Sequence, residues 1–350
     1  MTLITNQEEE ARKIQFSGRS SYMIALPKRW VDEIGLKAGD QVLVIRQTNS
    51  SLLIVPKGLA PLKSKGEVTV YVSPADSAGS LVRKLVSLYL IAYSLIHVKS
   101  TEGKLTSTQR DTVKEAVRRN FVGTEVIADS IDGITIQVLL GFPELSVENA
   151  LRRMFLITAS MHRDAVRALG ELDQDAAQGV MKTDDEVDRF SLYAIRQLKV
   201  AVENDRVLRE MGLTTPRDCL GYRLIVKSVE RVADHATKIA QGVLSLKRPL
   251  HKTPLEKIRG LSDLALSLFE ESGRSLFKRD YDAADRVVEQ AKLIGATQDD
   301  LLKALAGSER LESYHTLRLI IEDIRRTAEY ASDIAEIVLN LTAEQTVAKP

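Results

Sequence analysis

Cysteine is almost missing from this chain: Cys219 stands alone among 350 residues. That excludes an internal disulfide framework and a zinc site of several thiolates, and it fits a reducing cytosol, with Cys219 filling a core. Long apolar runs are missing too. The most apolar stretch, Leu85–Val98, has 14 residues and contains Tyr89, Tyr93, Ser94 and His97. It is too short and too polar to cross a bilayer, so no membrane insertion is expected. The opening MTLITNQEEE lacks a basic region followed by an apolar one, so no secretory signal is expected there and the chain reads as cytoplasmic. No GxxxxGK loop and no GxGxxG occurs, which gives nucleotide binding no support. The histidines (His97, His162, His235, His251, His315) show no HxxH or HExxH spacing. No serine, cysteine or lysine stands in a recognisable nucleophile context, so an enzyme has no residue to point at.

What is present is organised around GRSSYMIALPKRWVDEIGLKAGD, Gly18–Asp40. Tyr22, Ile24 and Leu26 alternate with small or polar residues at the period of a strand. Pro27 ends that strand and suits the first turn of a helix, so Lys28, Arg29 and Trp30 open a short helix through Ile34, capped by Gly35. Gly39-Asp40 turns into a strand at Val42 and Val44, and Asn49-Ser50-Ser51 into another at Leu52–Val55. Net charge is only +1, but residues 11–66 hold ten Lys or Arg against three Asp or Glu, while residues 67–350 hold 39 against 42. The near-neutral total hides a basic head.

Arg12–Lys57 resembles the AbrB/SpoVT swapped-hairpin domain, in the basic strand RKIQFSGRSS, the corner LPKRW and the turn GLKAGD. The resemblance implies that two chains interleave strands into one small barrel. It also implies that basic residues near the first strand and the corner contact double-stranded DNA: here Arg12, Lys13, Arg19, Lys28 and Arg29. Ordinary surface charge on a small sheet domain is the competing account of the same residues.

Pro56–Gly66, PKGLAPLKSKG, clusters Pro, Gly and Lys without apolar periodicity and reads as a linker. Beyond it, Val68, Val70 and Val72 alternate as a strand, Ser80–Leu90 has helical spacing, and Ile91–Val98 returns to strand. Thr106–Asn120 is a polar helix, followed by strands at Thr124–Ile131 and Ile134–Leu140 across an Asp132-Gly133 turn. From Ser146 the pattern predicts long amphipathic helices near 147–170, 174–211, 216–246, 254–278, 281–306 and 308–342. Thr215-Pro216 and Thr253-Pro254 supply N-caps followed by prolines, Thr253 with Glu256 forms a capping box, and Gly307 separates two helices.

An internal repeat divides these helices into two sets of three. DQDAA at Asp173–Ala177 recurs as DYDAA 107 residues later, and VERVADHATKIA at Val229–Ala240 recurs as IRRTAEYASDIA 95 residues later. The second copy is therefore shorter in its middle. From Ser146 to Leu341 the chain resembles the PhoU family, which implies a pair of three-helix bundles that regulate phosphate uptake and bind metal through acidic E/D-x-x-x-D motifs. The motifs here are Asp184/Asp188 and Glu230/Asp234, and four-residue spacing puts each pair on one helix face. Two such helices packed antiparallel offer four carboxylates to a hard cation: Mg, Mn or Fe, with Zn also open. Taken alone, an i, i+4 acid pair is more often a solvated face. In the second repeat Arg325 replaces Glu230, Ala291 and Gly295 fall at the places of Asp184 and Asp188, and only Glu329 stays acidic. One metal cluster per chain is the most to expect.

The expected architecture is multidomain and mainly α. It comprises an AbrB-like swapped-hairpin β-barrel (1–60), a small α/β domain (67–145) and a PhoU-like pair of three-helix bundles (146–250 and 251–345). The combination resembles archaeal PhoU-like regulators and implies a phosphate-responsive transcription regulator, at least dimeric. Two alternatives stay open. One is an adaptor on a phosphate transporter or signalling partner, with the head only dimerising; the other, more distant, is a metal-dependent phosphatase.

Overall fold

The computed structural model describes residues 10–18, 21–46, 51–57, 65–139, 145–306 and 311–347. The chain separates into two compact units, Met1–Lys63 and Ser64–Pro350.

The first unit is two hairpins and a helical turn. Strands β1 (Gln15–Ser17) and β2 (Ser21–Met23) pair antiparallel, as do β3 (Val42–Arg46) and β4 (Leu52–Pro56). Between them α1 (Lys28–Glu33) begins after Pro27, whose carbonyl accepts from Val31 N–H at 3.1 Å. Gly35, at φ 70°, ends it. Gly39, at φ 98°, sits in a turn closed in both directions, since Asp40 N–H donates to Lys37 O and the Asp40 carboxylate accepts from Lys37 N–H. No residue of this unit whose exposure is described is buried. Phe16, Tyr22, Met23, Ile24, Val44 and Leu52 are all more than half exposed.

In the second unit, β5 (Lys65–Val72), β6 (Tyr93–Ser100), β7 (Thr124–Asp129) and β8 (Gly133–Val138) form a sheet in the order β5-β6-β8-β7, with only the β5/β6 pair parallel. Helices α2 (Ala78–Leu90) and α3 (Ser107–Asn120) cover one face, over Ile96, Val98, Ile134 and Ile136. Thr106 and Gln109 form the capping box of α3. Gly133 is not the turn residue its Asp-Gly context suggests: it lies in β8, where a Cβ would stand 2.8 Å from the Val98 carbonyl of the neighbouring strand.

The helical body follows in two copies. The first has α4 (Val147–Glu171), α5 (Gln174–Val202), the short α6 (Asp205–Glu210) and α7 (Asp218–Ser245). The second has α8 (Lys252–Lys278), α9 (Tyr281–Ala291), α10 (Ile294–Ala306) and α11 (Leu311–Thr342). The duplicated DxDAA motif is a helix connector used twice: Leu172 and Arg279 end α4 and α8 in the left-handed conformation, and Asp173 and Asp280 then cap α5 and α9. Both repeats share one continuous apolar core, in which α7 packs on α11 and α4 on α8. Gly242 lets α7 approach α11, since a Cβ there would lie 2.8 Å from Ile320.

Three details differ from the sequence pattern. The helices expected over 174–211 and 281–306 each break, after Val202 and after Ala291. Helix α7 begins at Asp218 instead of Pro216, because the Asp218 carboxylate folds back onto Thr214 and Thr215 N–H and holds them as a turn. Helix α8 begins at Lys252, which puts Pro254 at the third helical position; having no N–H, it cannot take part in a capping box, and none forms. Gly307, expected to separate two helices, lies outside the described residues.

Helices α2 and α3 pack against α5, so the α/β segment belongs to the same compact unit as the helical body. The join is made by Arg196 of α5, 4% exposed, which donates to the Tyr89 carbonyl and, at 3.0 Å, to the Tyr93 carbonyl. Its guanidinium also lies 4.8 Å from the centre of the Tyr89 ring, over which it sits.

Candidate functional site

Helices α5 and α7 carry the four acids picked out by spacing, and the pairing of these helices brings them together. The Asp184 carboxyl is pushed up to about 6, first by burial and then by Asp234, Asp185 and Glu230. Asp188 is pushed up to about 7 by burial, then by Asp184, Glu230 and Asp234. Each therefore feels the charges of the facing helix, which a solvated acidic face would screen. Asp184 Oδ1 and the Thr237 hydroxyl oxygen are both sealed from solvent with no hydrogen-bond partner, although the hydroxyl lies near enough to draw the Asp184 carboxyl slightly down. Glu230 is engaged by Lys227 at 2.6 Å.

The donor chemistry suits a hard cation, and the stranded Asp184 oxygen is a ligand atom without a partner. The arrangement is not a closed cage: among the described residues, no three His, Cys, Asp or Glu side chains surround one point closely enough to hold a metal ion. Asp185, next to the cluster, pairs with Arg119 of α3 at 3.3 Å and so links the acidic face to the α/β segment. Sequence spacing gave no sign of that contact.

The second repeat has the opposite character at matching positions. Lys227 and Glu230 of α7 correspond, 95 residues on, to Glu322 and Arg325 of α11, so the same i, i+3 ion pair is present with its signs exchanged. Arg325 makes a fork onto Glu322 (3.0 and 2.5 Å), reaches Glu329 as well, and pulls the Glu322 carboxyl down to about 2. Gln298 of α10 donates to the same carboxylate at 3.0 Å. A guanidinium thus sits among the acids here, and a metal does not fit beside it. His235 neighbours Asp234 in sequence only; it points to Asp323 of α11, with Nδ1 2.6 Å from Oδ1, and joins the two repeats. His162 is fully buried at the contact of three helices, with Nε2 2.9 Å from Ser262 Oγ of α8 and Nδ1 3.3 Å from Thr327 Oγ1 of α11. Burial also pushes the Cys219 thiol up to about 11, which fits an inert core residue.

In the head, Lys13, Lys28 and Arg29 are exposed, with Arg29 paired to Glu33 at 3.0 Å on the same helix. Arg12 is exposed and meets Glu10. Arg19 lies outside the described residues.

Comparison with known proteins finds matches to two families. Residues 151–243 and 258–338 match the PhoU domain, and residues 15–61 match the family described as antidote-toxin recognition MazE, bacterial antitoxin. A phosphate-specific transport system accessory protein PhoU homolog of Clostridium acetobutylicum is 24% identical over 147 residues, covering 40% of this chain and 63% of that protein. The match thus spans less than two thirds of that relative. The phosphate transport system regulatory protein PhoU from Streptococcus pneumoniae has a TM-score of 0.49 at 20% identity, covering 58% of this chain and 96% of that one. PhoU from Pseudomonas aeruginosa has the same score and identity, covering 57% and 96%. Among the described residues no helix is long and apolar enough to cross a membrane.

Proposed function

We propose that this chain, which carries two PhoU domains behind a MazE/AbrB-type head, is a phosphate-responsive transcription regulator: the head binds double-stranded DNA and the helical body senses or relays phosphate status. The observation that supports it most is the head's surface. Phe16, Tyr22, Met23 and Ile24 of the first hairpin region and Val44 and Leu52 of the second are more than half exposed. Two hairpins of this size cannot stabilise themselves alone, and interleaving with a second copy covers those side chains. The dimer doubles the basic set Arg12, Lys13, Arg19, Lys28 and Arg29 and gives it a phosphate backbone to neutralise.

In the body, Asp184, Asp188, Glu230 and Asp234 would supply the oxygens for at most one divalent cation per chain, and since no three of them surround one point as they stand, binding would have to draw them together. The adaptor alternative keeps the head as a dimerising device and assigns the regulation to contact between the helical body and a transporter or signalling partner. The PhoU domains support it equally, so the head decides.

Duplex DNA binding over a salt series separates the two. With about six phosphates neutralised per dimer, log K should fall with log salt at a slope of about −5, and a substitution that frees one phosphate per subunit should flatten it by about two units. The variant Lys28→Ala/Arg29→Ala should be flatter and weaker. A chain lacking residues 1–60 that binds as tightly as the full chain, or a full chain that does not bind at low salt, would establish the adaptor.

A further inference from the structure

Where the start of α7, the end of α8 and the end of α11 meet, the second unit encloses a cavity of about 360 Å³, within the roughly 300–1,000 Å³ typical of small-molecule sites. Its walls are polar. They include Arg217, Arg279, Tyr222, Thr214, Thr215 and Asn340. Two carboxylates also face it. The Asp218 carboxylate is committed to Thr214 N–H at 2.8 Å, Thr215 N–H at 3.0 Å and the Thr215 hydroxyl at 3.0 Å, and Glu344 lies at the exposed rim. Arg279 donates to the Gly212 carbonyl at 2.6 Å and hydrogen-bonds the Tyr222 hydroxyl, so its guanidinium is fixed on the wall.

The duplication supplies an internal control. Arg279 holds the left-handed end of α8, and the residue 107 positions earlier with the same conformation at the end of α4 is Leu172. Tyr222 corresponds, 95 positions later, to Leu317, which is fully buried. Two other lining residues, Val338 and Leu341, correspond to the buried Val243 and Leu246. The fold is therefore satisfied by aliphatic side chains at these positions. An arginine and a tyrosine in place of two leucines give this end of the bundle guanidinium and hydroxyl donors that packing does not require.

We infer that this cavity binds a small oxyanion of the phosphate class, held by the Arg279 and Arg217 guanidiniums with the hydroxyls of Tyr222 and Thr214. A planar guanidinium fork matches a tetrahedral oxyanion, and the Asp218 carboxylate is already taken up by the N–H groups of Thr214 and Thr215 and the Thr215 hydroxyl. This deepens the proposed phosphate response by giving the effector a place, and it holds equally if the head does not bind DNA. Inorganic phosphate and the phosphoryl group of a small monoester share this chemistry.

Titration calorimetry on the full chain with millimolar inorganic phosphate, and separately with glycerol phosphate, tests it. Heat with either supports the site and assigns the source. Arg279→Leu and Tyr222→Leu restore the residues of the other repeat, and Arg217→Ala changes only the exposed rim. Arg279→Leu should weaken binding by about tenfold or more, equivalent to about 1.4 kcal/mol, with smaller losses for the other two. No heat with either compound, or equal affinity in the full chain and both arginine variants, overturns the proposal. Arg217→Ala keeps the test decisive should Arg279→Leu fail to fold, and the DNA measurement fails or succeeds independently.

Discussion

Replacing Asp188 with asparagine should stabilise the protein at neutral and higher pH, and not in acid. The folded carboxyl is raised from 3.8 to about 7. Between those values the folded chain keeps a proton that the unfolded chain has released, so stability falls as pH climbs through that window and is flat above it. Three pKa units correspond to at most about 4 kcal/mol. Asp188 is only half-buried and shares its titration with Asp184, so solvent screening and coupling reduce this to about 1–2 kcal/mol. Relief within the fold is small, because the Lys227 ammonium already engages Glu230. Asparagine keeps the shape and removes the charge. Thermal unfolding in the presence of a chelator should place Asp188→Asn about 2–4 °C above the parent for each kcal/mol at pH 8, with the gap closing towards pH 4. Adding Mn or Mg should raise the parent and leave the variant where it was. A variant that melts with or below the parent at pH 8, or a gap that does not change with pH, would refute the repulsion on which the acidic face is built.

His162 acts in the same pH window with the opposite sign. Burial lowers it to about 4, so as pH falls from about 6.5 the unfolded chain takes up a proton that the folded chain refuses, and about 3 kcal/mol is lost on the way to pH 4. The parent profile should therefore look flatter than either group alone, and His162→Gln should lose less stability between pH 6.5 and 4; an unchanged acid slope in chemical denaturation would count against it. Gly242→Ala drives a methyl to 2.8 Å from Ile320 and should cost about 1–3 kcal/mol, with part recovered by adding Ile320→Val. Equal melting of Gly242→Ala and the parent would show that α7 and α11 can separate freely.

Much of this was legible in the chain because long helices repeat their apolar face many times, and because Asp173 and Asp280 cap where spacing says a helix begins. The breaks after Val202 and Ala291 were harder. Asn204 caps the first restart by accepting from Val207 N–H at 3.2 Å, but Lys292-Leu293 has no such signal. At the site, four-residue spacing placed Asp184 with Asp188 and Glu230 with Asp234, since both pairs lie on single helices. The pairings of Arg119 with Asp185 and of His235 with Asp323 join residues 66 and 88 positions apart, and no local period encodes them. Glu322 was within reach of local reasoning, three residues before Arg325. Its importance emerges only with Lys227 beside it, as the same pair written in reverse.

That reversal makes the two halves of the body unequal instruments. In the second, the positive charge is covalent: Arg325 travels with the chain and no change of medium removes it. In the first, the covalent charge of Lys227 offsets Glu230 alone, and on the proposed reading the charge that balances the other acids would be borrowed from solution. On that reading ionic conditions would act on α5 and α7 and leave α11 as it was, as in a bridge circuit with one fixed resistor and one variable. Since α7 and α11 share a core, a response of the acidic face would be read against α11, and Arg196 of α5 would pass it to the α/β segment.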